Sequence, residues 1–236
     1  MTTRLVNVVV DSVDPAALAG FWSALLQKPI TDEEPGVVEI ALTPETDLLF
    51  LPVSEGKTVK NRVHLDLAST SPEDRAAVVQ RAIGLGARPV DIGQGEVPWT
   101  VLADPEGNEF CVLEPREEYR DVGPLAAVVL DTADPSAAAG FWSEASGLPV
   151  VAAESGFASL RPRSGPRLEL VRVADPRTVK NRVHLDVAPG VDDDQEAEVA
   201  RLVALGARPV DVGQGDVSWT VLASPEGDEF CVLTPR

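Results

Sequence analysis

The chain has 236 residues, 44% of them hydrophobic and 25% charged, the balance of a globular protein of one or two domains. Its net charge of −18 argues against nucleic acid and anionic membrane surfaces as partners, since both demand clustered Lys and Arg. No apolar run approaches the ~20 residues that span a bilayer, and the opening "MTTRLVNVVVDSVD" lacks a signal peptide's apolar stretch, so a cytoplasmic location is expected.

In chain order, "RLVNVVVD" (Arg4–Asp11) is β-branched and strand-like. "DPAALAGFWSALL" predicts a helix with Asp14 as N-cap and Pro15 in its first turn. Short strands are expected around Val37–Leu42 and Leu48–Val53, and another at "NRVHLDLA" (Asn61–Ala68). "SPEDRAAVVQRAIGLG" is a second helix, with Ser71 and Asp74 as a capping box and Gly86 near its end. Strands follow near Arg88–Ile92, Trp99–Leu102 and Glu109–Leu113, the last two joined by a "DPEGN" turn.

The same order then repeats. "FWS" occurs at Phe21 and Phe141, and "GARPVD" at Gly86 and Gly206, each pair 120 residues apart. The linker falls near Glu114–Pro124, which predicts domains at 1–116 and 124–236 joined by 117–123. Each copy reads as a βαβββ-type unit used twice, four modules in all. Helices are too few for a parallel α/β fold, so the class is α+β with antiparallel-rich sheets.

The chain has two histidines, His64 and His184, in equivalent slots of "VKNRVHLDLA" and "VKNRVHLDVA". Strand alternation puts Val63, Leu65 and Leu67 on one face and Arg62, His64 and Asp66 on the other. It groups Val6, Val8 and Val10 against Asn7, Val9 and Asp11, and Phe110 and Val112 against Cys111 and Leu113. If the strands are neighbours, Asn7, His64, Asp66 and Cys111 meet in one concavity. The histidines then have three readings: a cavity wall bonded to Asp66 or Asp186, a metal ligand, or a general acid–base oriented by that aspartate. Cys111 and Cys231 are free thiols, either buried and inert or else ligating or nucleophilic, rather than a disulfide framework. Trp99 and Trp219 either stack on a ligand or pack at a rim. Arg62 and Arg182 either attract an anionic ligand or pair with a nearby acid. Phe21–Trp22 and Phe141–Trp142 read as core. "GQGEVPW" lacks the Lys and Ser/Thr of a phosphate loop and reads as a surface loop.

The order of "DPAALAGFWSALL", "VHLDLA" and "DPEGNEFCVLEP", present twice, resembles the vicinal oxygen chelate superfamily, which includes glyoxalase I, extradiol dioxygenases, fosfomycin-modifying enzymes and bleomycin-binding proteins. The resemblance covers nearly the whole chain. It implies two half-barrel domains, each around a cavity that commonly holds a divalent metal. The implied ligand slots fall on Asn7 or Ala127, on Leu49 or Glu169, on His64 or His184, and on Cys111 or Cys231. Alanine cannot ligate, and a thiolate favours zinc over magnesium or manganese. The cavity with Glu169 is the expected metal site. Its partners are His184 and Cys231 if each copy closes on itself, or His64 and Cys111 if the copies exchange modules. The incomplete ligand sets argue against glyoxalase I and extradiol dioxygenase activity.

Two functions follow. One is a small-molecule binding protein that sequesters an antibiotic or toxic metabolite, with Asn7, Arg62, Trp99, Arg182 and Trp219 lining its site. The other is a lyase or isomerase acting next to a carbonyl, through a metal or through the His64–Asp66 and His184–Asp186 pairs. Four modules match a dimer of single-domain relatives, so the chain is expected as a monomer or homodimer.

Overall fold

The computed structural model describes residues 3–34, 36–173 and 179–236. The first module is β1 (Arg4–Ser12), α1 (Pro15–Leu26), β2 (Ile30–Glu34), β3 (Val37–Ala41) and β4 (Asp47–Pro52). The second is β5 (Val63–Leu67), α2 (Pro72–Gly84), β6 (Arg88–Pro89), β7 (Thr100–Ala103) and β8 (Glu109–Val112). A short 3-10 helix, Glu117–Tyr119, sits in the linker. The third module is β9 (Leu125–Thr132), α3 (Pro135–Ser146), β10 (Val150–Ala153), β11 (Phe157–Leu160) and β12 (Arg167–Arg172). The fourth is β13 (Val183–Ala188), α4 (Gln195–Ala204), β14 (Arg208–Pro209), β15 (Thr220–Ala223) and β16 (Glu229–Val232).

These strands form two eight-stranded sheets, each a half-barrel. Sheet A has the order β14-β15-β16-β13-β1-β4-β3-β2, and sheet B the order β10-β11-β12-β9-β5-β8-β7-β6. Sheet A therefore joins the first module to the fourth, and sheet B the second to the third. The two copies in the sequence exchange modules, and each sheet draws one half from each copy. The seams are antiparallel pairs, β1 with β13 and β5 with β9. Within each module the first strand pairs parallel with the last. The expected α+β class holds.

The helices start where the caps predict. The Asp14 carboxylate accepts the Ala17 N–H and the Ser71 hydroxyl accepts the Asp74 N–H. Asp74 returns its bond to the Thr70 N–H, one residue ahead of Ser71. Trp22, Phe21 and Phe110 form an edge-to-face cluster with centroids 5.1–6.2 Å apart, repeated by Trp142, Phe141 and Phe230. Both FW pairs are core, as expected.

Three local expectations change. Strand β2 is unexpected, because its sequence "ITDEE" is acidic; it is the outermost strand of sheet A. Only Arg88–Pro89 of the expected Arg88–Ile92 strand enters the ladder. On β1, Val6 leaves the face of Val8 and Val10. A register shift between Leu5 and Asn7 inserts Val6 as a bulge, so Leu5 turns to the main core and Val6 joins Cys231 on the other side. The same shift on β9 places Ala126 beside Cys111.

Candidate functional site

On β5, Val63, Leu65 and Leu67 are buried in the main core, which turns His64 and Asp66 to the concave face. The parallel partner β8 sets Cys111 level with Asp66. His64 Nε2 lies 3.5 Å from Asp66 Oδ1. One ligand atom from each of His64, Asp66 and Cys111 lies within 4.8 Å of the others. Sheet A repeats this group as His184, Asp186 and Cys231, with His184 Nε2 3.6 Å from Asp186 Oδ1.

Module exchange decides which residues join each group. Glu169 is level with Val129 on β9, and Val129 is level with His64 on β5, so Glu169 belongs to the face of His64, Asp66 and Cys111. The set of Glu169 with His184 and Cys231 does not form, because those residues lie on opposite sheets. Asn7 likewise does not join His64. It lies on sheet A, where its amide donates to Asp186 Oδ2 at 3.0 Å, and Leu49 takes the place of Glu169. The two faces thus differ: sheet B carries a carboxylic acid and Ala127, sheet A an apolar side chain and Asn7.

Burial controls the electrostatics. It pushes both Cys111 and Cys231 well above the ordinary thiol range, and the neighbouring Asp66 and Asp186 add to that. These thiols are neutral donors to their aspartates rather than nucleophiles. Burial also raises Asp66 and Glu169, against the lowering pull of His64 on the first and the Tyr119 hydrogen bond on the second. Burial lowers His184. Asp66 Oδ1, Asp186 Oδ1 and His184 Nδ1 are buried without a hydrogen-bond partner. A buried carboxylate oxygen that accepts no hydrogen bond is costly, and a cation beside it would offset that cost. Donors around one tetrahedral zinc stand roughly 3.3–3.7 Å apart. The His–Asp gaps already match that spacing, and an N, O and S donor set suits zinc. The residues fit the group.

Of the remaining expected site residues, Arg62, Arg182 and Trp99 are engaged with the protein. Arg62 donates to the Asp131 carbonyl at 2.8 Å. Arg182 donates to the Asp11 carbonyl and pairs with Glu106 at 2.9 Å. Trp99 bonds Gln94 and packs against the Cys111 cluster, whereas Trp219 is 38% exposed.

Other residues at the site were not foreseen. Lys60 pairs with Asp131 at 2.7 Å and Lys180 with Asp11 at 2.5 Å, lining a groove of about 600 Å³ shared by both halves. Lys180 and Asp11 act electrostatically on His184 and Cys231. The Tyr119 hydroxyl donates to Glu169, 2.9 and 3.0 Å from its two oxygens. Composition held two signals: Tyr119 is the chain's only tyrosine, and three of its four lysines, Lys57, Lys60 and Lys180, line that groove.

A glyoxalase-like domain model matches the chain twice, over 7–113 and 127–233. The chain belongs to the glyoxalase-like domain family. Glyoxalase I from Zea mays superposes on this glyoxalase-like chain with a TM-score of 0.67 at 14% identity, covering 99% of this chain and 92% of that one. A putative dioxygenase from Bacillus subtilis matches with a TM-score of 0.66 at 15% identity, covering 99% and 85%. At such identities the likeness is one of fold. No functionally curated protein matches by sequence.

Proposed function

We propose that the concave face of sheet B binds a small carbonyl-bearing organic molecule over a divalent cation, zinc being favoured, and assists proton transfer next to the carbonyl. The supporting observation is the His64–Asp66–Cys111 group with its buried carboxylate oxygen that accepts no hydrogen bond. His64, Asp66 and, on loss of its thiol proton, Cys111 would hold the cation. When bound, it supplies Lewis-acid polarisation of a carbonyl oxygen. Glu169, whose burial favours its protonated form at this face, accepts or returns a proton.

A second reading, a binding protein that sequesters a toxic compound, is favoured by sheet A. There Leu49 replaces the acid and the half-exposed Trp219 offers a stacking surface. On this reading the bound compound is recovered unchanged.

Zinc titration of chelator-treated protein by calorimetry tests the first reading. Binding is expected, and Cys111→Ser or His64→Ala weakens the sheet B site by about 100-fold or more. Absence of any zinc binding, or affinity unmoved by both substitutions, sinks the metal role on sheet B.

A further inference from the structure

The concave face of sheet B is occupied by a piece of the chain itself. Tyr119 enters it from the linker, and it is the only buried residue between positions 114 and 124. Its side chain, 5% exposed, packs with Cys111, Leu113 and Ala126. Its hydroxyl meets Glu169, itself 4% exposed. The guanidiniums of Arg116 and Arg167 lie 5.8 and 5.6 Å from its ring centroid. Arg167 also donates to the Glu118 carbonyl at 2.9 Å, so the strap has a second tie to sheet B. A groove of about 380 Å³ runs between the linker and α2, lined by Asp74, Val78 and Arg81 on one side and by Pro115, Tyr119 and Arg120 on the other. Sheet A has no such insertion among the described residues. The Cys231 cluster is completed by Val6, Ala188, Val221 and Leu233.

We propose that the sheet B face is a site for hydroxyaromatic small molecules, and that the linker closes it as a strap with Tyr119 standing in for such a ligand. This rests on the reading of the concave face as the ligand site. A side chain seated in a pocket reports what the pocket accepts. Here an acid receives the hydroxyl, two guanidiniums face the ring, and apolar groups wall the rest. Burying a hydroxyl away from an acceptor is costly, so the Glu169 contact selects for one. Cations near an aromatic face add to the selection. Tethering gives Tyr119 an effective concentration on the order of millimolar, so a free ligand must displace it. Binding and strap release are therefore one event.

The probe is p-cresol, the tyrosine side chain as a free molecule. By calorimetry, Tyr119→Ala is expected to bind p-cresol at least about tenfold more tightly than the wild type does. It is expected to prefer p-cresol over toluene, which lacks the hydroxyl, by at least about fivefold. In the wild-type protein, saturating p-cresol is expected to speed trypsin cleavage after Arg120 severalfold. Equal affinity of the variant for p-cresol and toluene overturns the proposal, as does a cleavage rate unmoved by p-cresol. If Tyr119→Ala does not fold, the wild-type proteolysis decides alone. Zinc binding without a p-cresol response removes only the strap proposal; failure of both removes the reading of the face as well.

Discussion

Glu169 is the residue whose charge state most directly separates the two faces. Burial holds its folded pKa above the ordinary 4.5, so the fold prefers the protonated acid. That contribution is fully present below about pH 4.5 and is lost as pH rises through the raised value. Glutamine stays neutral and still accepts the Tyr119 hydroxyl. Glu169→Gln should therefore match the wild type near pH 4 and exceed it at pH 8, by on the order of 1 kcal/mol in urea unfolding of metal-free protein. An equal difference at both pH values contradicts this account. His184 has the opposite sign. Its folded pKa lies below the ordinary 6.5, so its contribution is present above that value and lost on acidification. His184→Gln should lose less stability than the wild type between pH 7 and pH 5, read in the same unfolding assay.

Between elements, a single glutamate in each "DPEG" or "SPEG" turn binds modules together. The Glu106 carboxylate accepts the Ser12 hydroxyl and the Val13 and Asp14 N–H groups just ahead of α1, and it pairs with Arg182 of the fourth module. Glu226 repeats the backbone contacts at Ala133 and Asp134 ahead of α3. An acid at these amides satisfies orphan donors and favours the positive end of each helix. Glu106→Ala is expected to cost about 2–3 kcal/mol in thermal unfolding, and Glu106→Gln less, because the amide oxygen keeps one acceptor. A loss below about 0.5 kcal/mol for alanine means the contact is idle. At this scale the sequence was legible where structure is local. The caps at Asp14 and Ser71 and the alternation on β5 follow from neighbouring residues. Glu106 reads from the sequence only as part of a turn, because its partners lie 76 to 94 positions away. The Val6 bulge was hidden because Leu5 and Val6 are both apolar, so either face accepts either residue.

For the whole molecule, the order of elements was legible and the pairing of modules was not. "VHLDLA" and "VHLDVA" present the same alternation, so β1 finds equally good local partners in β5 and β13. The identity of Glu169's companions, and the separation of Asn7 from His64, depended on that choice. Exchange also dictates how the copies behave when separated. A fragment of residues 1–116 keeps β1 and β5 without their seam partners β13 and β9. It should elute as a self-paired dimer or aggregate rather than a monomer, and co-expression with residues 117–236 should give a one-to-one complex by size-exclusion chromatography. Failure of the two co-expressed fragments to associate contradicts the seams. The same seams set the terms on which the two faces diverge. In an assembly of two identical chains, every substitution appears on both faces at once. Here a change at position 49 or 169 reaches one face only, whereas a change that reshapes a whole copy reaches both. The covalent join thus frees single positions to break the molecule's symmetry, while its strand exchange still makes each copy answerable to both sites.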